Sequence, residues 1–196
     1  MANLTKIFGT FYVVLFLSGC LSIGSGPLTN SISVPSGQTN IKHKLPNGFC
    51  LDISANSGTA FQETMVVTNC IAVSNGNKFY LSRRPVDTIV NITFTKSRVP
   101  KNISQEKYLS IISEKTDFKK FLVASSNKKI VYGEKKLLKN FLHVNFQRVS
   151  SSNRKEFIRK YFFLVDNKLV VMTILSFQKP RKNKYVAFED FIKKLS

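Results

Sequence analysis

The chain has 196 residues, with 30 Lys or Arg against 11 Asp or Glu, and a formal net charge of +19. With 43% hydrophobic residues, including 17 Phe, it is too apolar for a disordered chain despite that charge. Its length suits one domain around a single core rather than a string of domains.

The first twenty residues, MANLTKIFGTFYVVLFLSGC, place Lys6 and the amino terminus before an uncharged run from Ile7 to Gly19. Thirteen residues are too few for a spanning helix, which needs roughly 18 to 20. They suit the apolar region of a secretory signal, and the run has no polar face that a core helix would turn to water. Leu17-Ser18-Gly19-Cys20 resembles the lipobox of bacterial lipoproteins. That resemblance implies thioether diacylglycerol on Cys20, cleavage between Gly19 and Cys20, and acylation of the new amino group. Two or three acyl chains hold a protein on a membrane firmly, whereas one does so only marginally. Leu21 follows the cysteine, and a residue other than Asp there implies outer-membrane sorting in Gram-negative members of the family. The resemblance thus implies a cell or outer membrane location, with the domain outside the cytoplasm. The alternative is an ordinary secretory signal with an incidental cysteine.

Residues 20–41 follow as the lipidated cysteine and a tether. From 22 to 41 there is no charged side chain, and Ser, Gly, Asn, Thr and Pro dominate. Such a segment reads as a flexible linker, with a root-mean-square span of roughly 25 Å. The alternative is an N-terminal strand through Ile32 and Val34. The domain is then expected over 42–196.

Within it, Leu45-Pro46-Asn47-Gly48 reads as a turn into a strand over Phe49 to Ile53, and Met65 to Cys70 as a second strand. Cys50 and Cys70 form an even pair in a compartment where disulfides persist, and they read as a structural bridge. Thr88 to Thr95 alternates, with Val90, Ile92 and Phe94 on one face. Ser104 suits the cap of a helix striped by Tyr108, Leu109, Ile111 and Ile112, and a second helix is expected from Asp117 to Val123. Leu142, Val144 and Phe146 alternate with His143, Asn145 and Gln147 in a further strand. Tyr161 to Val165 and Leu169 to Phe177 read as a hairpin joined by Asp166-Asn167-Lys168. Phe188, Phe191, Ile192 and Leu195 fall at helical spacing in a closing helix from Tyr185 to Leu195.

These elements predict an α+β domain, an antiparallel sheet covered by helices. The LPNGFCLD segment, with its second cysteine twenty residues later, resembles bacterial envelope proteins of an LPxGFCxD type. The run of helix, hairpin and closing helix is weakly similar to the PsbP-like fold, which includes bacterial lipoproteins. Neither resemblance implies a catalytic residue.

The chemistry points to binding rather than catalysis. No catalytic, cofactor or metal-ligand string is present, and no CxxC. His43 and His143 are the candidate bases, each read as a solvated or hydrogen-bonded histidine, while Glu189-Asp190 are helical neighbours that need not face one another. Residues 96–196 hold 24 Lys or Arg against 8 Asp or Glu, a field that favours anionic partners. Arg83, Arg84, Lys135 and Lys136 are candidate anion contacts, although pairs of this kind also sit on solvated faces. The partners expected are membrane lipid through acylated Cys20, anionic headgroups and envelope proteins. No nucleic acid is expected, since the signal sends the chain outward. The function predicted is a non-enzymatic, lipid-anchored envelope protein. The alternatives are a subunit of an envelope complex and a carrier of a small ligand.

Overall fold

The alternating segment from Thr88 lies at the centre of the molecule. A computed structural model describes residues 28–36, 39–70, 86–114, 129–150 and 153–196. The strands are β1 (Leu28–Thr29), β2 (Ser31–Ser36), β3 (Thr39–Lys44), β4 (Phe49–Gly58), β5 (Gln62–Asn69) and β6 (Thr88–Arg98), then β7 (Lys129–Leu137), β8 (Leu142–Val149), β9 (Lys155–Val165) and β10 (Lys168–Ser176). The helices are α1 (Gln105–Glu114), after β6, and α2 (Lys182–Leu195), after β10. Eight strands form one sheet in the order β1-β4-β5-β6-β10-β9-β8-β7, antiparallel at every pair, while β2 and β3 form a separate hairpin.

Both faces of this sheet carry a core. On one face Val90, Ile92, Phe94, Tyr161, Phe163 and Met172 pack with Ile32 and Val34 of the hairpin and with Phe188, Phe191 and Ile192 of α2. On the other, Leu142, Val144, Phe162 and Leu164 pack with Leu109 of α1. Two covered faces explain why Tyr161 to Val165 is buried at every position: where both sides of a strand are dry, alternation gives way to a continuous apolar run. Local signals set the joints. Ser104 caps α1, its Oγ accepting from the Lys107 amide at 3.3 Å. Asp166 and Asn167 have φ of 48° and 56°, the paired positive values of a two-residue turn whose twist matches the flanking strands.

The architecture is mainly β, which corrects the α+β arrangement of a sheet covered by helices. Eight strands span roughly 34 Å across the sheet, and one helix is about 10–12 Å wide. The two helices among the described residues therefore cover only a part of each face, and the β2–β3 hairpin covers more of one. The tether reading is corrected too. Residues 28–36 and 39–41 carry β1, β2 and the start of β3, and Ile32 and Val34 are 0% and 2% exposed. The packed domain thus includes Leu28 onward rather than beginning at residue 42. The helix expected from Asp117 to Val123 lies outside the described residues, as do the signal, Gly19 and Cys20.

Candidate functional site

Strands β8 and β9 run side by side with His143 opposite Tyr161 and Asn145 opposite Arg159. On the face under α2 these side chains meet Tyr185 and Glu189, one helical turn apart on α2. The Arg159 guanidinium donates through Nη1 to Glu189 Oε1 (3.2 Å) and to the Tyr161 hydroxyl (3.3 Å), and through Nε to Asn145 Oδ1. Its central carbon lies 3.7 Å from the centre of the Tyr185 ring. The Tyr161 hydroxyl donates to the same Glu189 oxygen at 3.1 Å. Glu189 is thereby held from two sides, a network that ties α2 to the sheet.

His143 sits inside this network without joining it. Its Nδ1 is 3.8 Å from Glu189 and its Nε2 is 3.9 Å from Glu134, both beyond hydrogen-bond range. Both nitrogens lack a hydrogen-bond partner, and the residue is 5% exposed. Burial, reinforced by Arg159 and Lys136, holds its pKa below the ordinary histidine range, while Glu134 and Glu189 act in the opposite direction. Burial likewise pushes the Tyr161 hydroxyl well above its usual range. This corrects the reading of His143 as a solvated or hydrogen-bonded histidine: alternation shows that a strand has two faces, not whether the second one is wet. His43 is half-buried on β3. Glu189 and Asp190 do not share a site, since Asp190 turns outward to Lys193 at 3.0 Å.

The disulfide joins Cys50 of β4 to Cys70, with Cα atoms 4.9 Å apart, and the Cys70 amide donates to Gly48 O. Lys135 and Lys136 are exposed on the edge strand β7, but as consecutive strand residues they point to opposite faces. They oppose Val144 and His143 respectively, and Lys135 Nζ donates to Ser113 O at 3.2 Å. The pair therefore does not converge on one phosphate. Arg83 and Arg84 lie outside the described residues. No group of three or more metal-ligating side chains occurs among the described residues.

Exposed and half-buried cations gather instead at the two ends of the sheet. At one end are the β4–β5 turn, the β9–β10 turn and the β7–β8 loop, with Lys96, Arg98, Lys101 and Lys168 on one side and Lys139, Lys193 and Lys194 on the other. At the opposite end Lys179, Arg181 and Lys184, near Pro46, Asn47 and Ala187, line an open cleft of about 510 Å³. Lys184 there is paired with Asp87 at 3.3 Å. The first end also carries the most exposed large apolar side chain described, Phe61, at 54%.

No family model and no curated protein matches the chain. Among solved structures it is similar to the extracellular domain of PknH from Mycobacterium tuberculosis, at 10% identity over 86% of this chain and 84% of that one, with a TM-score of 0.41. It is also similar to a point mutant of the protein Mog1, at 10% identity over 83% and 85%, with a TM-score of 0.40. Likeness at this level carries neither a fold nor a function over to this chain.

Proposed function

We propose that this chain is a lipid-anchored envelope protein whose basic domain docks, without catalysing a reaction, on an anionic membrane surface. The observation that carries the reading is Leu17-Ser18-Gly19-Cys20 at the end of an uncharged apolar run behind Lys6. The Cys50–Cys70 bridge supports it, because such bonds persist outside the reducing cytoplasm. The distribution of charge supports it as well. Lys96, Lys101, Lys139 and Lys194 extend into solvent from loops and element ends at one end of the sheet. Near an anionic bilayer each such side chain contributes up to about 1 kcal/mol, so four of them suffice to turn a tethered domain toward the headgroups.

Sedimentation of residues 21–196 with vesicles tests the docking apart from the anchor. Binding to vesicles containing phosphatidylglycerol is expected, falling steeply as salt shortens the Debye length from about 10 Å at 0.1 M. Equal binding to neutral phosphatidylcholine vesicles would overturn it. Recovery of the full chain from detergent with one stoichiometric protein would favour a role as a subunit of an envelope complex.

A further inference from the structure

The domain has two basic ends, so charge alone does not decide which of them meets the membrane. The direction in which the chain enters β1 favours one of them. Leu28 pairs with Asp52 and Thr29 with Leu51, so β1 runs antiparallel to β4. The N-terminal end of β1 therefore points the way β4 points beyond Asp52, toward the β4–β5 turn. Asp52 opposes Val66, and β5 begins four residues before it at Gln62, so the turn lies about 13 Å beyond the level of Leu28. The eight Cα–Cα steps from Cys20 to Leu28 span at most about 28 Å. That is enough to bring the acylated residue level with the turn. Reaching the opposite end is within the same length, but the chain would first have to double back.

The chemistry of the turn agrees with its position. From Ile53 to Gln62 there is no charged side chain, in a chain in which 21% of residues are charged. The turn closes by the Thr59 amide donating to Gln62 O at 2.7 Å, which lifts Phe61 outward to 54% exposure, with Ile53 behind it at 44%. Entry of this tip into the headgroup region would bury an aromatic ring while the Lys96 ammonium on Thr59 O stays among the phosphates. The cations stand beside it and beyond it: Gln62 opposes Thr95, so Lys96 is level with Phe61 and Arg98 lies farther out along β6. Lys96 donates its amide to Phe61 O and its ammonium to Thr59 O at 2.6 Å, and Arg98 and Lys168 face one another at the next level of the sheet. An exposed aromatic ring set level with ammonium and guanidinium groups, which outnumber the nearby Glu63 and Asp166 carboxylates, matches a headgroup layer in which apolar contact and phosphates lie side by side.

We infer that the β4–β5 turn, with Phe61 level with Lys96 and flanked by Arg98, Lys101 and Lys168, is the surface by which the anchored domain meets an anionic bilayer. This rests on the reading of Cys20 as the lipid anchor. Because the chain contains no Trp, a single substitution supplies an unambiguous fluorescent reporter. Phe61→Trp and, as a marker of the opposite end, Val131→Trp on β7 both replace exposed side chains, at 54% and 46% exposure. Each full chain, purified from membranes and checked by mass for acylated Cys20, is reconstituted in phosphatidylglycerol–phosphatidylcholine vesicles carrying brominated acyl chains. The inference expects the Phe61→Trp chain to emit at shorter wavelength and be quenched, and the Val131→Trp chain to emit as it does in water. An acylated Phe61→Trp chain that is not quenched, or quenching of the Val131→Trp chain in its place, would overturn the inference and leave the anchor standing. A chain without acyl mass would overturn both.

Discussion

A chain beginning at Lys42 will be much less stable than one beginning at Gly26, although the segment removed is polar and uncharged. The truncation deletes β1, β2 and the first half of β3, and leaves the rest of β3 without its pairing partner. It strips Ile32 and Val34 from the core shared with Phe49, Val67 and Phe188. Full burial of an aliphatic side chain contributes roughly 1.5–3 kcal/mol, so these two account for roughly 3–6 kcal/mol before the exposure of their former neighbours is counted. Domain stabilities of about 5–15 kcal/mol leave little after such a loss. Urea unfolding followed by circular dichroism compares the two chains, and Ile32→Ala in the longer one isolates a single contribution, expected at about 2–5 kcal/mol. The same midpoint and the same denaturant slope for both chains would refute the placement of residues 28–41 in the packed domain.

Lys160 on β9 is half-buried beside Arg148, and the loss of solvent around its ammonium lowers its pKa to about 8 from 10.5. The difference corresponds to about 3 kcal/mol disfavouring the charged native form, an upper bound where water reaches the ammonium. Lys160→Met should therefore stabilise the fold at pH 7 by about 1–3 kcal/mol, and the gain should shrink between pH 8 and 10.5, where the native chain releases the proton before the unfolded one does. Thermal melts at pH 7 and pH 10 check both signs. Opening the Cys50–Cys70 loop with the double Cys→Ser variant should cost about 3 kcal/mol in urea, as expected for a closed loop of this length. His143, with its native pKa held below 6.5, stays neutral in the fold while the unfolded chain takes up a proton. Stability should thus fall as pH drops below about 6.5, and His143→Phe should flatten that slope in a pH series of melts.

What could be read from the sequence followed from which faces of each strand are dry. Thr88–Thr95 showed its alternation because one side is core and the other is lined by half-buried polar groups such as Asn91 and Thr93. Asp166-Asn167 and Ser104 were legible because turn and cap chemistry is local. Strand β2 was legible only as the alternative to a tether, because its composition is that of a linker and Ile32 and Val34 alone carry its burial. Strand β7 gave no alternation because it is an exposed edge, and its register shifts between Tyr132 and Lys135 around Gly133. There a Cβ would meet Asn145 O at 3.3 Å. Edge strands rich in lysine look like loops for the same reason that they resist pairing with other chains. The network of Arg159, Tyr161 and Glu189 brings together residues up to 30 positions apart, and no local pattern marks it.

The measurement that bears most directly on the account is the intact mass of the full chain purified from membranes, followed by the sequence of its N-terminal peptide. A lipid-anchored protein gives a chain that begins at Cys20 and carries added acyl mass. An unlipidated chain that retains residues 1–19 would contradict the anchor, and with it the placing of this basic domain on a membrane surface outside the cytoplasm.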